Sequence, residues 1–156
     1  MIFCTVGTQR GFERLVKKMD EIAGTINEQV ILQIGYTNYK PINADYFDFK
    51  NSSDEIKQLN RAARVVVSHA GVGSILTAID EKTPVIIVPR QKKFNEHIDD
   101  HQLEIAKTIS DNKNLIVAYN IEDLDELLKL NFTFTESNNK STLVKSIKDY
   151  LISISY

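Results

Sequence analysis

Residues 68–74 read Ser-His-Ala-Gly-Val-Gly-Ser, and their types and spacing suit the binding of an anion. Gly71 and Gly73 carry no Cβ, so the backbone can turn tightly there and come close to a ligand. The β-branched run Val65, Val66, Val67 precedes them, and helical spacing begins at Ser74. A strand, a glycine turn and a helix start present backbone N–H groups and a partial positive charge, which favours phosphate. The same two glycines also suit close packing of a helix on a strand. The turn is not a P-loop, since it lacks Gly-Lys-Ser/Thr. Nor is it a GxGxxG fingerprint, because Leu76 stands at the third glycine position and no acidic residue closes a following strand.

A second cluster runs over residues 89–102. Pro89 stops an apolar run, Arg90, Lys92 and Lys93 add positive charge, and Asp99, Asp100, His101 and Gln102 open a helix. Asp, His and Gln beside a strand end suit hydrogen bonds to the hydroxyls of a sugar, and the same residues fit a solvated loop before an acidic helix start. A third group, Gly7, Thr8 and Gln9, closes the first apolar run, where it reaches a ligand or makes a plain strand-to-helix turn. No metal site is expected: His97 and His101 are four apart but do not form HExxH. Ser68 and Ser74 lack the GxSxG setting of a hydrolase nucleophile. Asp123-Leu124-Asp125 looks like a metal-binding pair, yet it lies in the helical stretch EDLDELL, whose acids should face solvent.

These residues need a scaffold, and the hydrophobic pattern supplies one. Strands are expected at 2–6, 30–34, 46–49, 64–67, 84–88 and 115–118. Helices are expected at 12–23, 54–62 with Ser53 as cap, from 74 to 80, 97–110, 121–130 and 143–154. Val- and Ile-rich strands alternating with helices predict an α/β fold, a Rossmann-like parallel sheet covered by helices on both faces. Ligands of such sheets sit beyond the carboxyl ends of the strands. That rule selects loops 7–11, 35–40, 69–74 and 89–96, which hold five of the six glycines. Loop 131–140, NFTFTESNNK, is the one polar loop expected to be mobile.

The 156 residues fit one domain, 1–156, and 42% hydrophobic content is enough for a core. A net charge of -2 argues against a general nucleic-acid binder. Cys4, the one cysteine, sits in an apolar run and reads as a buried, inert thiol. The start MIFCTVGTQ is short and polar for a signal peptide, and no apolar run approaches ~18 residues, so a cytoplasmic location is expected.

Three runs in order, MIFCTVGTQ…FERLV, VVVSHAGVGSILTAI and VPRQKKFNEHIDDHQLEIA, resemble the carboxyl-terminal, donor-binding half of GT-B glycosyltransferases of family 28. The resemblance is greatest to stand-alone versions of that half. These are the exopolysaccharide subunits of the PssE/EpsF kind and the catalytic subunit of the eukaryotic UDP-GlcNAc transferase acting on dolichol-linked GlcNAc. It implies inverting transfer from a UDP-sugar, with no cofactor and no metal at the donor. His69, Ala70, Gly71, Gly73 and Ser74 match the turn that holds the diphosphate; Asp100, His101 and Gln102 match the segment that reads the sugar. Arg90 matches the loop lining the same cleft, and Gly7, Thr8 and Gln9 the loop facing the interdomain groove. Family members carry a glutamate three residues past the serine, holding the ribose; Thr77 stands there in this chain. The resemblance also implies a membrane-associated, PssD-like acceptor-binding partner that supplies the general base, and a lipid-linked saccharide acceptor. The chain would then sit at the inner face of the membrane through that partner. Leu143, Ile147, Tyr150, Leu151 and Ile154 form an apolar stripe suited to such docking or to packing on the chain's own sheet. A non-catalytic binding subunit is the alternative function.

Overall fold

The computed structural model describes residues 1–136 and 139–155. Residues 137 and 138 of the polar loop, on which the expected mobility partly rests, lie outside the described residues. Six strands, β1 (Ile2–Thr5), β2 (Val30–Gln33), β3 (Asp45–Phe47), β4 (Val65–Ser68), β5 (Val85–Ile87) and β6 (Leu115–Val117), form one sheet. Its order is β3-β2-β1-β4-β5-β6, and the paired strands are parallel. The order reverses between β1 and β4, where the strand ends open a crevice.

Alternation along each strand divides the core in two. Ile2, Cys4, Leu32, Val65, Val67 and Ile86 meet Leu15, Val16, Met19 and Ile22 of α1 (Glu13–Ala23), together with Leu124 of α5 (Leu124–Leu127). Phe3, Val66, Val85 and Ile87 meet the other layer. That layer holds α2 (Ser53–Ala62), α3 (Val72–Asp80), α4 (His101–Ile109) and α6 (Asn139–Ser153). Both faces of the sheet are therefore covered, as runs of Val and Ile require.

Several boundaries differ from the sequence expectation for local reasons. Ser52, not Ser53, caps α2, because only Ser52 places Glu55 where the reciprocal bonds of a capping box close. Helix α4 starts at His101 rather than 97. Asp99 Oδ1 accepts from the His101 N–H (3.0 Å) and Asp100 Oδ1 from the Lys92 N–H (2.8 Å), so both carboxylates hold turns. His97 and His101 thus share no helical face. Residues 121–130 divide into a 3-10 turn, Ile121–Asp123, and the short α5. Asp125 there pairs with the buried Lys18 of α1 at 2.6 Å instead of facing solvent alone. In α6, Leu143 and Ile147 pack into the chain's own core, while Leu151, Ile152 and Ile154 remain exposed.

Candidate functional site

A cleft of about 540 Å³ lies over the carboxyl ends of β1, β4 and β5. Of the residues singled out in the sequence, Gly7, Thr8, Gln9, His69, Gly71, Gly73, Ser74, Arg90 and Gln102 line it. Three do not. Ala70 is packed in the core, Asp100 holds the Lys92 N–H, and His101 projects outward beside Asp99 and the Tyr150 ring. His97 lines the cleft, on the near side of Asp99.

The cleft is organised around one imidazole. His69 follows β4 and is buried, with 9% of the residue exposed. Arg90 Nη1 donates to His69 Nδ1 (3.1 Å), and the Gln102 amide nitrogen reaches the same atom (3.5 Å). Ser74 Oγ lies 3.4 Å from Nε2. Burial, then the positive charge of Arg90, then that of His97, push the His69 pKa down to about 3, so the ring is neutral at pH 7. Arg90 itself is almost fully buried. Its Nη2 donates to Val6 O (2.8 Å) and Arg10 O (2.7 Å), and the Phe12 ring centroid lies 5.0 Å away. Burial pulls its pKa to about 10, which still leaves a cation at neutral pH.

The glycines have separate tasks. Gly7 holds φ +76°, and a Cβ there would stand 2.5 Å from His69 Nε2. A Cβ on Gly71 would strike the same ring at Cε1. A Cβ on Gly73 would meet nothing within 4 Å. Gly71 is thus small to admit the imidazole, whereas Gly73 leaves open space in the cleft. Gly73 lies in the first turn of α3, which has Gly71 as N-cap and no side chain capping it. That turn lines the same cleft as a neutral histidine and a buried cation, and a helix start beside a cation favours negative charge.

Thr5, Arg10, Ile56 and Val72 also line the cleft, as do Gln33 and Asn60, which sequence reasoning did not single out. Asn60 was visible as a polar residue on the inward face of α2, one turn after Ile56. Its Oδ1 and the Arg90 Nε are buried without a hydrogen-bond partner. Thr77 lines the cleft too, with its hydroxyl donating back to Gly73 O (2.8 Å). Among the described residues, no three His, Cys, Asp or Glu side chains gather as metal ligands, and no helix is long and apolar enough to cross a membrane.

The chain is similar in sequence and in fold to known proteins. The human UDP-N-acetylglucosamine transferase subunit ALG13 is 31% identical over 118 residues, covering 69% of this chain and 10% of the relative. The Candida albicans subunit of the same name is 30% identical over 103 residues, 60% of this chain and 32% of the relative. The chain therefore spans a tenth to a third of the length of these relatives. An NMR solution structure of ALG13 superposes with a TM-score of 0.62 at 17% identity, covering 92% of each chain. The glycotransferase of kitacinnamycin gives a TM-score of 0.64 at 14% identity, over 96% of this chain and 39% of that one. These two likenesses bear on the fold, a six-stranded Rossmann-like sheet of the kind found in GT-B glycosyltransferases. The family model named glycosyltransferase family 28 C-terminal domain matches residues 1–151, and the chain belongs to that family.

Proposed function

We propose that this chain is the donor-binding, catalytic subunit of a two-component inverting glycosyltransferase. It transfers a sugar from a UDP-sugar to a lipid-linked acceptor in capsule or exopolysaccharide biosynthesis. The observation that carries this reading is the uncapped start of α3, with open space at Gly73 in its first turn and the neutral His69 beside it. Those N–H groups would hold the diphosphate and stabilise the charge that grows on it as the sugar departs, without a metal at the donor. Relatives named as UDP-N-acetylglucosamine transferase subunits support a UDP-sugar donor and a second subunit. That partner, membrane-associated and PssD-like, would bring the acceptor and the general base and hold this chain at the cytoplasmic face. The placement in exopolysaccharide synthesis rests on the resemblance, carried by the three runs together, to stand-alone exopolysaccharide subunits.

Thermal unfolding with UDP, UDP-GlcNAc, UDP-glucose and UDP-glucuronate tests donor binding. A ligand at a hundred times its Kd should stabilise the chain by about 2.7 kcal/mol. No shift with any of the four overturns the proposal. A second reading, a non-catalytic binding subunit, draws on Thr77, whose hydroxyl is engaged with Gly73 O where relatives of the resembled type hold ribose. Sugar transfer by the reconstituted pair separates the two: a pair that transfers only with a cleft-intact chain supports catalysis.

A further inference from the structure

The geometry points to Arg90 as a positioning residue: by donating to Nδ1 it holds His69 as the Nε2–H tautomer, aimed beside Ser74 at the bound diphosphate, and it acts through that ring. The inference deepens the donor-site reading and rests on it.

A guanidinium has only donors, so the 3.1 Å contact from Arg90 Nη1 requires a lone pair on Nδ1. The Gln102 amide enforces the same choice. Its Oε1 accepts from the Arg90 N–H (3.0 Å), which leaves the NH2 end to face Nδ1 at 3.5 Å. With Nδ1 accepting, the proton of the neutral ring sits on Nε2, which looks toward Ser74 Oγ (3.4 Å). The other tautomer would set N–H against N–H in a buried place, which is costly. The guanidinium cannot turn aside, because Nη2 is tied to Val6 O (2.8 Å) and Arg10 O (2.7 Å). The ring is confined as well, since Gly7 and Gly71 both lie close against its Nε2–Cε1 edge.

Nitrogen-detected NMR of His69 reads the tautomer in the unmodified protein, with and without UDP. The Nε2–H form is expected throughout; an Nδ1–H form overturns the inference without any variant being made. UDP binding by calorimetry then compares Arg90→Met in two backgrounds. With His69 present, Arg90→Met should mix the tautomers and weaken UDP by about tenfold. With His69→Gln, whose amide N–H takes the place of Nε2–H without any tautomer choice, the same change should alter affinity by less than about twofold. Equal losses in both backgrounds would assign Arg90 a direct contact instead, and no loss in either would remove it from the site. Arg90→Lys, which keeps the charge but not the fork, should behave as Arg90→Met. If the unmodified protein fails to bind UDP, the donor-site reading falls, while the NMR result still decides what Arg90 does to His69.

Discussion

Replacing Gly73 with alanine should stabilise the empty protein and weaken it as a UDP binder. Gly73 is the second residue of α3, and a Cβ built there meets nothing within 4 Å. Alanine in a helix is favoured over glycine by roughly 0.5–1 kcal/mol. At roughly 2–4 °C per kcal/mol for a chain of this size, melting should rise by about 1–4 °C. The new methyl would occupy the space before the N–H groups of α3, where a phosphate oxygen must approach. If it weakens UDP a hundredfold, a ligand concentration that stabilises the unmodified protein by about 2.7 kcal/mol stabilises the variant by only about 0.4 kcal/mol. The loss of about 2.3 kcal/mol exceeds the helix gain, so the order of melting temperatures should invert when UDP is added. Gly71→Ala provides the contrast, because its Cβ strikes His69 and should lower stability by about 1–3 kcal/mol with no ligand present. Differential scanning fluorimetry of the three proteins suffices. A Gly73→Ala protein that melts lower when empty, or that keeps the full UDP shift, refutes the division of labour between the two glycines.

Stability should also depend on pH through His69. Its folded pKa of about 3 lies below the ordinary 6.5, so between these values the unfolded chain binds a proton that the folded chain does not. The contribution is whole above 6.5 and declines as pH falls toward 3, by at most about 1.4 kcal/mol per pH unit; urea unfolding at pH 4–7 should show a shallower slope for His69→Gln. Asp20 acts in a lower window. Burial pushes its pKa up, but bonds from Tyr39 Oη and the N–H groups of Ile42, Asn43 and Ala44 outweigh that and hold it below the usual carboxylate range. Its stabilisation is therefore complete above about pH 4 and lost as pH falls through the folded value, and Asp20→Asn should cost about 2–3 kcal/mol at pH 7 by chemical denaturation. His101→Ala should leave the calorimetric affinity for UDP unchanged, because that ring lies outside the cleft, whereas Gln102→Ala should weaken it.

The layered sheet could be read from the sequence because Val and Ile runs with intervening amphipathic stretches leave few alternatives to a covered parallel sheet. The same strand ends, where glycines and histidines gather in the sequence, border the cleft. What escaped was side-chain direction. His101 and Gln102 are neighbours, yet a helix start four residues later than expected turns one outward and the other toward His69. Asp99 and Asp100 look like ligand groups in a string of letters, but local backbone N–H groups claim them. A further demand on Gly71 was also hidden: a Cβ there would strike the His69 ring. Asn60 and Gln33 reach the cleft from elements remote in sequence, which only tertiary packing brings near.

Arg90 joins three elements that are far apart along the chain, since its bonds end on the exit of β1, on the first residue after β4 and, through its own N–H, on helix α4. A loop held by one such knot cannot peel away alone. Amide hydrogens across the walls of the cleft should exchange with solvent in a single cooperative unit, so the protein would lose its binding surface all at once instead of by gradual fraying.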